Sequence, residues 1–297
     1  MTTSNASDLR FLARPDGRLS YTVSGAGPLI VAVPSMGDLR DSYRELSGPL
    51  VDAGFRVAVM DLGGHGDSDT TFHRFGDQVT ADDILALIDE LGGPAVIIGN
   101  SLAGSAAPLA DAARPDAVAG MVLLSPFLRE GASAAALVMA RIAYRVLFAR
   151  PWGAAMWANY YVKTLNRGTA APWLGEHAAA LRASMREPGR LRSFRELAIQ
   201  LDHSAVEPRL PEVTAPSLTI IGSRDPDFRD PAAELAFAAD ALHGETLLVE
   251  DAAHYPHAAR PEIVTPRVLA FVEGLREGAG WRAPANPAST STRAPRA

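Results

Sequence analysis

The chain predicts an α/β fold: a doubly wound, mostly parallel sheet flanked by helices, with an inserted helical cap. Three observations carry that expectation. Short continuous apolar runs, such as Pro28 to Val33 and Val118 to Leu124, suit strands buried on both faces. They alternate with segments of helical periodicity, as in sheets built from strand–helix–strand units. The alternation stops near Leu128 and resumes after about Leu210. The expected organisation is therefore a core in two parts, 1–127 and 212–279, around a helical segment at 128–211. The composition of 280–297, with its Pro, Ala, Ser, Thr and Arg, predicts a disordered tail.

Each element has a local reason. Leu9 to Arg14 and Leu19 to Val23 alternate around Pro15-Asp16-Gly17, which reads as a hairpin. Pro28 to Val33 is a buried strand, followed by a helix from Arg40 to Ala53 that Gly48-Pro49 disturbs and Gly54 stops. Phe55 to Met60 is the next strand, and it runs into the glycine-rich turn Asp61 to Asp69. Thr80 and Asp83 resemble a capping box for a helix through Leu91. Ala95 to Ile98, Val118 to Leu124, Ser217 to Ile221 and Thr246 to Val249 are further strands. Asp230-Pro231 gives an N-cap and a first-turn proline for a helix to Leu242, and Pro261 to Leu275 is the last helix.

Composition excludes several functions. The net charge is −6 with no basic cluster set among aromatics, so nucleic acid is not an expected partner. There is no Cys, which removes disulfides and thiolate metal sites. No metal-ligand cluster or phosphate loop is apparent, and neither a metal nor an organic cofactor is expected. The apolar run Ala134 to Ala149 carries Arg141 and Arg145, which breaks a membrane span, so no membrane partner is expected. The N-terminal stretch lacks an apolar signal core, which points to a cytoplasmic protein. A monomer or homodimer acting on a small molecule fits these bounds.

The chemistry gathers at strand ends, where such sheets bind ligands. Gly99-Asn100-Ser101-Leu102-Ala103-Gly104 reads as strand, sharp turn and helix with one hydroxyl at the apex. Asp225 follows the strand at Ser217, and His254 follows the strand at Thr246. A serine hydroxyl is a weak nucleophile that needs a base, and the base needs an orienting carboxylate. Asp227 is the rival acid and His257 the rival base, the latter read as a surface residue. His65 and Asp61 read as braces of the glycine-rich turn. His73, His177, His203 and His243 show no partner pattern.

These patterns resemble the α/β-hydrolase superfamily over roughly residues 9 to 277. Four segments carry the resemblance: Gly99 to Gly104; the turn Asp61 to Ser68, similar to D-x-x-G-x-G-x-S; Gly222 to Asp225; and Ala253-His254. The resemblance implies Ser101 as nucleophile, His254 as base and Asp225 as orienting acid. It implies an oxyanion hole from the backbone N–H groups of Met36 and Leu102. Relatives usually carry His-Gly where this chain has Pro34-Ser35, and the motif has Ala103 where its stricter form has Gly. Ser35, Trp152, Trp157 and Tyr160 are candidate pocket residues, with packing inside the helical segment the alternative for the aromatics. Arg141 and Arg145 are read as a solvated helix face, with an anionic substrate the alternative. The expected activity is hydrolysis of a small or medium apolar ester, lactone or thioester. Carbon–carbon bond hydrolysis, acyl transfer on the same residues, or a non-catalytic ligand-binding or biosynthetic helper are the alternatives.

Overall fold

The computed structural model describes residues 8–131, 133–278 and 281. Eight strands form one sheet: β1 (Leu9–Arg14), β2 (Gly17–Ser24), β3 (Leu29–Val33), β4 (Arg56–Met60), β5 (Ala95–Asn100), β6 (Val118–Leu124), β7 (Ser217–Gly222) and β8 (Glu245–Val249). Their order is β1-β2-β4-β3-β5-β6-β7-β8. The β1–β2 hairpin and the β2–β4 pair are antiparallel, and every later pair is parallel. β3 and β5 are buried at every position, as their unbroken apolar runs require.

Side chains alternate between two apolar layers. Val31, Ile97 and Leu123 point to one layer, with α2 (Asp77–Leu91) and α3 (Leu102–Ala113) packed over it. Ile30, Ile98, Val122 and Ile220 point to the other, under α1 (Arg44–Asp52) and α10 (Pro261–Gly278). α8 (Pro231–Leu242) begins as its sequence demands: Asp230 Oδ1 accepts the N–H groups of Ala232 and Ala233, both at 3.1 Å. Such a cap is worth about 1 kcal/mol.

Between β6 and β7 lie α4 (Ala134–Leu147), α5 (Gly153–Tyr160), a π-helical turn Tyr161–Leu165, α6 (Leu174–Ser184) and α7 (Arg190–Gln200). They share a separate apolar cluster that includes Phe148, Trp157, Tyr161, Leu181 and Phe194 and that reaches Tyr255 and Ala258 of the core.

Three local expectations change. α2 begins at Asp77, so Thr80 lies inside it, its N–H bonded to Gly76 O at 3.0 Å. Asp83 is not a cap residue either; it pairs with Arg14 Nε at 2.7 Å and fastens the helix to the end of β1. His257 is not on the surface. It sits in the short helix α9 (Pro256–Ala259), is 1% exposed, and stacks on Tyr43 at 5.0 Å. Trp281, placed in the tail by composition, is buried, stacks on Phe55 and donates Nε1–H to Pro94 O at 3.2 Å. The remainder of the expected tail lies outside the described residues.

Burial of His65 and His257 disfavours the charged ring and lowers each pKa to about 4. An unfolded histidine titrates near 6.5, so the unfolded chain takes up protons first as pH falls. Stability from these two sites is therefore complete above about pH 6.5 and is lost as pH falls toward about 4. His257→Phe keeps the ring against Tyr43 and removes one of the two titrations. Its melting temperature should fall less steeply than that of the parent between about pH 6.5 and 4.5; equal slopes would remove His257 from the acid response.

Candidate active site

Ser101 stands between β5 and α3 with φ 56° and ψ −117°, a conformation that an L-residue holds only at a cost of about 1–3 kcal/mol. The turn closes because Gly99 has no side chain: a Cβ there would lie 2.3 Å from Ala103 O. Ala103 is thus tolerated in the motif, since its carbonyl, not its methyl, makes the close approach. Ser101 N–H donates to Leu124 O at 2.8 Å, which locks the apex to β6. Asn100 Nδ2 donates to Leu124 O at 3.0 Å and to His254 O at 3.1 Å. One side chain therefore joins the serine turn to the histidine loop.

His254 is buried, and its Nδ1 lies 3.0 and 3.1 Å from the two carboxylate oxygens of Asp225. Asp227 stands further off, at 3.4 Å, with 26% of its side chain exposed. Burial opposes a charge on His254, but the Asp225 and Asp227 carboxylates and the Asp225 hydrogen bond outweigh it and raise its pKa to about 9. Burial likewise works against an Asp225 anion, yet the facing His254 holds that carboxyl below its ordinary range. Among the described residues no hydrogen bond joins Ser101 Oγ to the ring; such bonds are often long before substrate binds. Asp225, Asp227 and His254 also offer three ligand atoms within 4.8 Å of one another.

The loop after β3 is held by polar contacts that the sequence did not announce. Asp38 is buried, and its Oδ1 lies 2.6 Å from His177 Nε2 of α6. The same oxygen accepts from Leu39 N at 2.8 Å and from Tyr161 Oη at 3.4 Å. Trp157 Nε1 donates to Gly37 O at 2.8 Å. Ser35 Oγ lies 3.1 Å from Tyr255 Oη and 3.2 Å from Met36 O. Neither Met36 N–H nor Leu102 N–H donates to a protein acceptor among the described residues.

The four candidate pocket residues fall in different places. Ser35 and Trp157 are buried in the support of the Met36 loop. Trp152 is 47% exposed and caps the end of α4 through Nε1–H to Val146 O. Tyr160 is 40% exposed, and partial burial together with the Asp227 carboxylate raises its pKa above the ordinary tyrosine value. Arg141 pairs with Asp202 at 3.3 Å, and Arg145 is exposed. Asp61 braces the glycine-rich turn, accepting Ser20 Oγ at 2.8 Å, Asp67 N at 3.1 Å and Arg40 N at 3.1 Å. His65 Nδ1 bonds Gly63 O in the same turn. His203, without a visible partner in the sequence, pairs with Asp77 at 2.8 Å and stacks on Phe127.

Sheet order, the strained strand-to-helix serine and the strand-end acid and histidine define a class, that of enzymes built as α/β hydrolases. The chain belongs to the alpha/beta hydrolase family, whose family model matches residues 30–267. It is 28% identical over 278 residues to a human monoglyceride lipase, covering 86% of each chain. It is 27% identical over 255 residues to the magnesium-chelatase 30 kDa subunit of Rhodobacter capsulatus, covering 84% of this chain and 88% of that one. Among solved structures it is similar to a thermophilic esterase from Thermogutta terrifontis, with a TM-score of 0.75 at 22% identity, covering 91% of this chain and 99% of that one.

Removing Asp38 would strand the buried His177 ring and free the Met36 loop. Asp38→Ala should lower unfolding free energy by about 3 kcal/mol or more, read by urea denaturation. A loss below about 0.5 kcal/mol, the level of an ordinary surface change, would mean that this contact does not hold the loop.

Proposed function

We propose that this α/β hydrolase cleaves a small or medium apolar ester, lactone or thioester through an acyl-enzyme on Ser101. The 3.0 Å contact of His254 Nδ1 with Asp225 carries the reading, because it fixes the ring with Nε2 left to act as base. His254 takes the Ser101 proton as the hydroxyl oxygen attacks the carbonyl carbon. The unengaged N–H groups of Met36 and Leu102 receive the oxyanion. Collapse expels the alcohol with a proton returned from His254. Water, deprotonated by the same ring, then releases the acid and frees Ser101. Asp225 is preferred to Asp227 as the orienting acid, being closer and more buried. The likeness to a lipase and an esterase supports ester chemistry. Carbon–carbon bond hydrolysis and acyl transfer would use the same residues.

A second reading, a non-catalytic helper in a biosynthetic step, is favoured by one observation, the likeness to a magnesium-chelatase subunit along most of both chains. Turnover separates the two. Ser101→Ala should lower hydrolysis of a p-nitrophenyl ester by several powers of ten, roughly 10⁴-fold or more, without unfolding the protein. Unchanged turnover would sink the serine mechanism, and no turnover in the parent across a panel of esters would favour the helper.

The same geometry sets the pH response. His254 must be neutral to accept a proton, and its carboxylate partners favour the charged ring. The rate should therefore rise with pH along a limb lying above the ordinary histidine value, toward about 9. Asp225→Asn should move that limb down and cost more activity than Asp227→Asn. A larger loss from Asp227→Asn would reassign the acid.

A further inference from the structure

Two exposed apolar stripes lie side by side on the inserted segment. On α4, Val138, Ile142 and Val146 recur every fourth residue and are 52%, 51% and 61% exposed, with Met139 beside them at 66%. Trp152, Met156 and Tyr160 recur at the same spacing along α5 and are 47%, 41% and 40% exposed. The Trp152 Nε1–H bond to Val146 O ties the end of one stripe to the start of the other. The inward side of α4 is apolar too: Tyr144 stacks on Phe148, which packs edge-on against Phe194. Apart from Arg145, the outward side of α4 is apolar, where a helix on a water-facing surface normally carries a polar face.

The charges in this region are sorted by sign. No Asp or Glu occurs between Glu130 and Glu176, whereas Arg141, Arg145, Arg150, Lys163 and Arg167 all do, in a chain of net charge −6. Arg145 lies one turn from Ile142 on the outward side of α4 and is exposed, as is Lys163 after α5. Arg141 is paired with Asp202, which leaves Arg145, Arg150 and Lys163 as exposed cations beside the apolar stripes of an acidic protein. Apolar side chains among exposed cations, edged by Trp and Tyr, match the boundary between acyl chains and anionic headgroups. The second stripe ends at Tyr160, next to Tyr161, whose ring centroid lies 4.8 Å from that of Tyr255, the residue after His254. That places the surface next to the candidate site.

We propose that the α4–α5 face docks on the surface of an anionic lipid bilayer, so that the protein works at a lipid–water boundary. This differs from a span: among the described residues no helix is long and apolar enough to cross a membrane. The docking rests on exposure and charge and does not depend on Ser101 chemistry, but it would present water-insoluble acyl esters to the proposed site. A protein partner would be expected to bring its own acids to these cations, and nothing in the face selects one shape of partner over a broad plane.

Sedimentation of the full chain with vesicles tests the proposal. Vesicles of phosphatidylglycerol and phosphatidylcholine should retain the protein at least about tenfold better than pure phosphatidylcholine, with the difference shrinking as salt is raised. The double variant Ile142→Glu/Val146→Glu should lose at least about tenfold in partitioning, because each change puts an acid where acyl chains would lie. Arg145→Gln should reduce the preference for phosphatidylglycerol while leaving residual binding. Both variants should keep the parent's thermal unfolding and its turnover of a soluble ester, if the parent has turnover. Failure of the hydrolase reading would show as absent turnover with vesicle binding intact. No retention on phosphatidylglycerol vesicles, or unchanged retention of the double Glu variant, would overturn the proposal. So would a parent dimer that the double variant splits and that ignores vesicles, since the face would then belong to a second copy of the chain.

Discussion

The backbone of Ser101 is the constraint on which the site depends. A positive φ at a serine is unfavourable in isolation, and it persists only where the surroundings over-determine it. β5 supplies those surroundings. It lies between β3 and β6 in the sheet, and its end is gripped from both sides. Gly99 lets the first turn of α3 come into contact, Leu124 O takes the Ser101 N–H, and Asn100 reaches both Leu124 and His254. A small shift at this strand end would move the serine and the histidine loop together. The strain and the alignment of the site are two aspects of the same packing.

The inserted segment is joined to the core by directional polar bonds as well as by apolar contact. His177 reaches Asp38, Trp157 reaches Gly37 O, and Trp173 Nε1 reaches Glu45 at 2.8 Å. The π-helical turn adds a bond from His254 N to Leu165 O at 3.0 Å. In a low-dielectric interior such bonds fix position more strictly than hydrophobic burial does. They explain how the loop at Pro34-Ser35 can be shaped without the residues that relatives usually carry there. Support comes from α6, α5 and Tyr255 instead. The orientation of the Met36 N–H is thereby linked to the packing of the insertion.

Much of this was legible in the chain. Strands buried on both faces leave unbroken apolar runs, so the parallel sheet and its order of elements could be read directly. The Asp230-Pro231 start of α8 was equally plain, because capping chemistry is local. The α2 start is not legible in the chain: Thr80 and Asp83 imitate a cap, but Gly76 at φ 116° opens the helix and Asp83 serves a distant arginine. His257 looked like a surface residue, yet its short helix turns it in beneath Tyr43. His177 and Asp38 are far apart in sequence and share no motif, so only the packing of α6 over the Met36 loop reveals the pair. Periodicity also could not show that the outward stripe of α4 is the exposed one. An amphipathic pattern gives two faces but not which of them meets the core.

The nucleophilic role of Ser101 is open to direct measurement by reaction of the folded protein with a fluorophosphonate, followed by peptide mapping. One phosphonyl group on Ser101 in native protein, and none after unfolding in urea, is the expected result, because only the assembled turn, base and N–H donors make that hydroxyl reactive. Native protein that takes up no adduct, or takes it at Ser35 instead, would contradict a nucleophilic Ser101.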